Sequence, residues 1–236
     1  MNALLIRIGA DTSKGGGLWN GPVDTRSGKF VYVPIPETRP VHRGLEKPYS
    51  DLTPALATFG RTLPAQLSGK AMHLDPDFAH LTYGDTRERA KQIRAALRTG
   101  DLIVFYAGLL DPRTGHPLVY AIVGLFVVED IISAIDIPTT ARDINAHSRR
   151  LLEPNAQDLI VRARDGVSGR LERCLPIGEW RDRAYRVRCD LLEQWGGLSV
   201  KDGYLQRSAR LPRFNDPVRF QRWFDTMNPS LLQANN

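Results

Sequence analysis

Four residues with metal-ligating or acid–base side chains fall within a span of eight positions. They are His73, Asp75, Asp77 and His80. Imidazole nitrogens and carboxylate oxygens are common metal ligands, but Pro76 interrupts the stretch and no helical pattern fixes its geometry. A turn with aspartates beside a proline explains the same residues equally well. We therefore predict no metal site and retain His73 and Asp75, together with Asp11, as candidate catalytic residues.

A second group of candidates follows the first predicted strand. Arg7 and Asp11 are four residues apart and face the same side of a regular strand, so they could form an ion pair. A structural pair and a catalytic role for Asp11 are equally compatible with this spacing. Lys14 and the glycines at 15–17 could bind phosphate through a cation and backbone amides. The loop matches no Walker A or dinucleotide fingerprint, so a surface turn is an equally good interpretation.

Aromatic and amide side chains elsewhere could bind a nucleobase. Trp19 offers a stacking surface and Asn20 an amide able to read a base edge, although such a tryptophan more often packs against the core. Tyr106 ends a predicted buried strand, and the small residues after it leave room for a ligand. Tyr83 could face the same pocket. Asp85, in contrast, has a structural explanation, with Asp85 or Thr86 as the N-cap of the next helix and Glu88 completing a capping box from Asp85.

A polar cluster late in the chain could bind phosphate. The candidate ligand-binding residues in it are Lys201, Gln206, Arg207 and Arg210. Arginines can bind phosphate through paired hydrogen bonds, whereas a solvated loop is the alternative interpretation. We favour the ligand role because this segment contributes to the resemblance of the chain to a known family.

Several common catalytic signatures are absent from the sequence. It has no G-x-S-x-G elbow, no H-E-x-x-H motif and no C-x-x-C pair. A nuclease core built on Asp158 would need a lysine where Cys174 stands. The two cysteines, Cys174 and Cys189, are too few for a disulfide scaffold and are expected to be free thiols. A hydrolase of a common type is therefore not supported.

Composition bounds the class of protein. The chain has 236 residues, of which 42% are hydrophobic and 25% charged, as in ordinary globular proteins. One domain over residues 1–236 is expected. The formal charge of +6 favours a polyanionic partner. The longest apolar stretch, Leu118–Val128, is too short to cross a bilayer, and the first residues lack the basic region of a signal peptide. We expect a cytoplasmic protein without membrane contact.

Hydrophobic patterning predicts the elements that must position these residues. The predicted strands are Leu4–Ile8, Phe30–Pro36, Asp101–Ala107, Leu118–Val128 and Asp158–Ala163, the third and fourth forming a hairpin. The predicted helices are Asp85–Leu97, Thr140–Leu152, Tyr185–Trp195 and Asp216–Met227, the last with Asp216 as N-cap. A long loop with a short helix near residues 54–59 covers 37–77. The fold class is α+β, with a mixed, mostly antiparallel sheet or an open PUA-like barrel, flanked by helices and ending in a helical segment over about 185–236.

The motifs resemble, as a set, the nucleotide modification associated domain 3 family. They include Leu5–Ser13 with the glycine loop, Trp19–Pro22, Val33–Glu37, His73–Asp77, Thr82–Asp85, Gly100–Tyr106, Leu198–Gly203 and Gln206–Arg210. The resemblance covers most of the chain. It implies a role in systems that make or handle modified DNA bases, often in phages and bacteria, without naming a molecular activity. The order of helix, Gly-Asp, strand and hairpin also resembles the core of PUA, ASCH and EVE-type domains, which hold RNA or modified bases.

Three hypotheses of function remain open at this level. The leading one is a nucleotide or nucleic-acid binding protein of a DNA-modification system, with a base held by Trp19, Asn20, Tyr83 and Tyr106 and phosphate on Arg207 or Arg210. The second is an enzyme acting on a nucleotide or modified base, transferase-like or hydrolytic, in which Asp11, His73 or Asp75 is the acid, base or metal ligand. The third is a protein-interaction subunit, for which modification enzymes are the compatible partners. The cofactor and the oligomeric state are left unknown.

Overall fold

The computed structural model of the chain describes residues 1–115, 117–205 and 210–236. Its strands are β1 (Ala3–Arg7), β2 (Ile35–Pro36), β3 (Met72–His73), β4 (Thr82–Asp85), β5 (Leu102–Leu109), β6 (Val119–Ser133), β7 (Leu159–Ala163), β8 (Gly169–Pro176), β9 (Gly178–Arg181), β10 (Ala184–Val187) and β11 (Leu231–Leu232). Its α-helices are α1 (Thr53–Ala57), α2 (Arg87–Ala96), α3 (Ala146–Arg149), α4 (Cys189–Trp195) and α5 (Pro217–Thr226). Short 3-10 helices cover Tyr49–Leu52, Ala65–Leu67, Ala134–Asp136, Thr139–Ile144 and Lys201–Gly203.

The main sheet is mixed and mostly antiparallel. Its order is β1-β5-β6-β7-β4, and β8 pairs with β6 while β11 pairs with β8. Only β1 and β5 are parallel among these pairs. The long strand β6 pairs with three others and is the centre of the sheet. The described strands form an open sheet, which confirms the α+β class and the first of the two expected arrangements.

Alternation along the strands divides the apolar core between the two faces of the sheet. On one face, Ile6 and Phe105 pack with α2 through Ile93. On the other, Leu5 and Tyr106 pack with α4 and α5 through a group of aromatic residues that includes Trp195, Phe220 and Trp223. Successive residues of one strand thus contribute to different layers, so a side chain's face determines which pocket it can reach.

The long connection after β2 has an apolar cluster of its own. Tyr49, Leu56 and Leu67 are fully buried there and pack with Val31 and Val33. The two short strands β2 and β3 close this segment by antiparallel pairing, with Ile35 opposite His73. The connection is therefore ordered by its own packing, and His73 lies at the end of the short strand that closes it.

Several predicted elements are confirmed, namely β1, the β5–β6 hairpin, β7, α2 and α5. Others were wrong. The predicted helix over 140–152 is a 3-10 segment followed by the one-turn α3. Residues 185–187 are in a strand, so the next helix begins only at Cys189. The predicted strand over 30–36 is reduced to Ile35–Pro36.

The capping box predicted for Asp85 was also wrong. Thr86, the other predicted N-cap, occupies that position in α2, and its side chain makes no capping hydrogen bond. The Asp85 carboxylate instead accepts hydrogen bonds from the Tyr83 hydroxyl at 2.6 Å and from Arg89 Nε at 2.7 Å. Asp85 therefore belongs to a side-chain network. No described helix combines the length and apolar character needed to cross a membrane.

Candidate functional site

A cavity of about 460 Å³ opens between the end of β1, strand β4 and the segment after β2. Four arginines line it, namely Arg7, Arg39, Arg89 and Arg150. The carboxylates of Asp75 and Asp85 and the imidazoles of His73 and His147 also line the cavity. The cavity is therefore rich in cations and also contains a compact group of acid–base side chains.

Asp75 and two histidines converge on one side of this cavity. The Asp75 Oδ2 atom lies 3.7 Å from His147 Nε2 and 4.0 Å from His73 Nε2. The two imidazole rings pack edge to face, with their centroids 5.0 Å apart. The other carboxylate oxygen of Asp75 accepts hydrogen bonds from the Gly84 backbone N–H at 2.7 Å and from Asn145 Nδ2 at 2.9 Å. These bonds fix the carboxylate so that Oδ2 faces both rings.

A carboxylate lies behind each histidine. The Nδ1–H of His73 donates to Glu37 Oε2 at 2.7 Å, and the Nδ1–H of His147 donates to Asp158 Oδ1 at 2.6 Å. Because an ionised carboxylate only accepts hydrogen bonds, each Nδ1 carries a proton, and Nε2 is the ring nitrogen that faces Asp75. Arg150 Nη2 lies 3.0 Å from His73 Nδ1 and donates to Glu37 Oε1 at 2.9 Å. Glu37 therefore accepts hydrogen bonds from both His73 and Arg150.

The pKa values follow from burial and from these partners. Burial raises the pKa of Asp75 to about 6, against the opposing effect of His147 and the hydrogen bonds. Burial also lowers the pKa of His73 to about 4, although Glu37 opposes the change. Burial alone would raise the pKa of Glu37, but His73 and Arg150 hold it well below its usual range. The His73–Glu37 contact is therefore a hydrogen bond from a neutral imidazole to an ionised carboxylate.

Local structure explains how distant residues meet at this point. The pairing of β2 with β3 places Glu37, one residue beyond β2, beside His73 at the end of β3. On the other side, Asn145 is the N-cap of α3, and its side-chain oxygen accepts the backbone N–H of His147 at 2.8 Å. The same amide donates to Asp75, so one residue begins the helix and joins it to the carboxylate.

Gly84 in β4 permits the close approach of α3. A Cβ atom at this position would lie 2.3 Å from His147 Cδ2 and 2.7 Å from Asn145 Oδ1. Such distances are far below carbon contact distances, so only glycine fits without displacement of α3. A glycine inside a strand often marks close backbone approach of this kind.

The arginines of the cavity differ in how fully they are paired. Arg150 is buried and donates to Glu37 at 2.9 Å. Arg89 donates to Asp85 and to the Tyr83 hydroxyl. Arg7 lies 3.5 Å from Asp11, while its buried Nε has no hydrogen-bond partner among the described residues. Arg39 is the most open, with 41% of its side chain exposed and its nearest carboxylate, Asp158, at 3.9 Å.

The cavity brings together four of the predicted site residues, namely Arg7, His73, Asp75 and Tyr83. Asp11 forms the predicted ion pair with Arg7 and accepts a hydrogen bond from the Ser13 backbone N–H, so it stabilises the loop that follows β1. Gly16 is required there, since a Cβ atom would lie 1.9 Å from Asp11 Oδ1.

The other predicted aromatic and amide residues lie elsewhere. Trp19 is half-buried and packs against the apolar cluster of the long connection. Asn20 is buried and donates to the Gly108 carbonyl at 2.8 Å. Tyr106 faces the layer opposite to that of Tyr83, and its hydroxyl donates to the Leu205 carbonyl. The structure does not bring these four side chains into one pocket.

The basic candidates are also separate from the cavity. Lys14 and Lys201 are exposed, and neither lines it. Arg210 lines a different cavity of about 330 Å³, together with Gln92 and Arg213. Gln206 and Arg207 lie outside the described residues. Asp77 pairs with Arg149, and His80 Nδ1 lies 3.1 Å from Asp77 Oδ2, so neither residue joins Asp75.

Sequence reasoning missed several residues of the site. They are Glu37, Arg39, Arg89, Asn145, His147, Arg150 and Asp158. His147 is 74 positions from His73, and the intervening sequence offers no spacing that connects them. The available local signal was Asn145 two residues before His147, because asparagine favours helix N-caps. That signal was hidden by the wrong prediction of a longer helix.

Comparison with known proteins gives one match. A sequence model described as nucleotide modification associated domain 3 matches residues 2–219. No curated protein and no solved structure shows significant similarity to the chain. The match covers every residue of the cavity described above.

Proposed function

The chain belongs to the nucleotide modification associated domain 3 family, and from this premise we propose that it binds a nucleotide or a modified base in the cavity. The observation that supports this most strongly is that four arginines and the Asp75–histidine group line one cavity of about 460 Å³. Pockets for small ligands typically have volumes of roughly 300–1,000 Å³, and a few converging polar groups determine their specificity.

Arg39 is the best candidate for the phosphate. It has no carboxylate closer than 3.9 Å among the described residues, so its guanidinium donors are available to a ligand. A phosphate beside it would receive charge-assisted hydrogen bonds. Arg7 also lines the cavity, but its guanidinium lies over the Tyr120 ring and pairs with Asp11. Ile8, Ile35 and Pro36 give the cavity an apolar wall against which a base could lie.

An enzymatic role for the same cavity is the second candidate. It is favoured by the group of Asp75, His73 and His147, because perturbed acid–base groups in a cleft are typical of catalytic sites. A carboxyl whose pKa is about 6 can exchange a proton near neutral pH. Asp75→Asn should abolish turnover of a substrate while leaving its binding through Arg39 intact.

Titration calorimetry with nucleoside monophosphates and short oligonucleotides tests the binding proposal. We expect Arg39→Ala to weaken binding by about tenfold or more, because a hydrogen bond to a charged group contributes roughly 1.5–3 kcal/mol. Arg43→Ala is the matched control, since Arg43 is exposed, lies outside the cavity and carries the same charge. Equal losses in both variants, with a steep salt dependence, would indicate nonspecific attraction by charge and contradict the proposal.

A further inference from the structure

From the side chains at one end of the cavity, we infer that His73, Asp75 and His147 bind one divalent transition-metal ion. The three donor atoms, one from each side chain, all lie within 4.8 Å of one another. The inference does not depend on the proposed nucleotide ligand, because metal binding is measured in the absence of any nucleotide.

The first argument is the convergence of three ligand-type atoms on one point. Both rings donate through Nδ1 to Glu37 and Asp158, which leaves Nε2 as the ring nitrogen available to a metal ion. Asp75 Oδ2 faces the two Nε2 atoms at 3.7 and 4.0 Å. A divalent cation between these three atoms would contact all of them.

The second argument is the fit of the distances. Bonds of about 2.0–2.2 Å from zinc to nitrogen and oxygen place neighbouring ligand atoms roughly 3.0–3.6 Å apart. The two separations from Asp75 Oδ2, 3.7 and 4.0 Å, exceed this range by up to a few tenths of an ångström, and all three donor atoms lie within 4.8 Å of one another. Inward movement of the two imidazoles, towards Asp75 and towards each other, would therefore complete the ligand set.

The third argument is the outer layer of hydrogen bonds. Metal-ligating histidines usually donate their second ring N–H to a carboxylate or carbonyl, which fixes the ring and raises the basicity of the ligating nitrogen. Here both histidines have such a carboxylate, and the Asp75 carboxylate is fixed by Gly84 and Asn145. Arg150 pairs with Glu37 at 2.9 Å and lies 3.7 Å from Asp158, so it balances the charge of both outer carboxylates.

The ligand types indicate the class of metal. Two imidazoles and one carboxylate suit zinc, iron(II), cobalt or manganese, whereas magnesium and calcium prefer oxygen ligands alone. Three protein ligands leave at least one coordination position open. Because all three residues line the cavity, an open position would face the space proposed for the nucleotide.

Titration of the chelator-treated 236-residue chain with cobalt(II) and with zinc tests the inference, with visible absorption and calorimetry as readouts. We expect one ion per chain. His147→Ala should weaken binding by more than roughly 100-fold, beyond the 10- to 100-fold effect of removing an outer-layer partner. His80→Ala is the matched control, because His80 belongs to the sequence cluster around Asp75 but lies beside Asp77.

Glu37→Gln keeps all three ligands and separates loss of the site from loss of the fold. We expect it to weaken cobalt binding by about 10- to 100-fold with an unchanged circular dichroism spectrum. The absence of stoichiometric binding in the folded wild type, or equal losses in His147→Ala and His80→Ala, would overturn the inference. A protein that binds metal but no nucleotide would contradict only the proposed function, so the two failures are distinguishable.

Discussion

Gly84→Ala tests the packing that brings α3 to the site without altering any candidate ligand. The added Cβ would lie 2.3 Å from His147 Cδ2, more than 1 Å inside the carbon contact distance of about 3.5 Å. Gly84 does not have a left-handed backbone conformation, so alanine is compatible with the strand and the effect is steric. Either α3 or β4 must move by about 1 Å, a displacement well beyond the roughly 0.2 Å tolerance of metal–ligand distances.

Two magnitudes follow from this overlap. Overpacking of a filled site costs about 1–3 kcal/mol, and at roughly 2–4 °C per kcal/mol the melting temperature should fall by about 2–12 °C. Because Cδ2 is bonded to Nε2 in the imidazole ring, the same displacement moves the ligating atom, and we expect cobalt affinity to fall by about tenfold or more. Thermal melting and cobalt titration are the assays.

Gly15→Ala is the control for Gly84→Ala, because a Cβ at Gly15 would have no atom within 4 Å. It should melt and bind metal as the wild type does. If Gly84→Ala behaved in the same way as Gly15→Ala, the close packing of β4 against His147 would be refuted, together with the argument for why glycine occupies that position.

Two further predictions concern the fold away from the site. Only one thiol should react with a disulfide reagent in the native protein, and two should react after unfolding. Cys174 is buried and burial raises its pKa to about 12, whereas Cys189 is exposed. Two reactive thiols in the native protein would contradict the burial of Cys174. Asp216→Ala should lower the free energy of unfolding, measured by denaturant titration, by about 0.5–2 kcal/mol, because the Asp216 side chain accepts a hydrogen bond from the Arg219 backbone N–H at 3.0 Å. Asp216→Asn keeps a side-chain acceptor and should retain most of the stability.

Elements with strong local signals were predictable from the sequence. The buried run at Leu4–Ile8, the hairpin over 101–128 and the Asp216-Pro217 helix start each have patterns that require no tertiary information. The wrong predictions fall where tertiary contacts override the local pattern. Tyr185, for example, stacks on Tyr120 with ring centroids 4.4 Å apart, and this packing holds it in a strand rather than a helix.

The site was only partly predictable for a related reason. His73 and Asp75 are two positions apart in the sequence, and both were predicted as candidate catalytic residues. Their partners Glu37, His147 and Asp158 reach them through the β2–β3 pairing and the β4–β7 pairing, which no sequence spacing encodes. Tyr106 was a nucleobase candidate because it ends a buried strand beside small residues, whereas the face of the strand decides which pocket its side chain reaches.

A crystal structure of the protein crystallised with zinc and a nucleoside monophosphate tests the proposed metal and nucleotide sites most directly. We predict an anomalous scattering peak within about 2.0–2.2 Å of His73 Nε2, His147 Nε2 and Asp75 Oδ2, and a phosphate within hydrogen-bond distance of Arg39 in the same cavity. Zinc on His80 and Asp77, with the phosphate beside Arg210 in the other cavity, would contradict both the metal site and the nucleotide site.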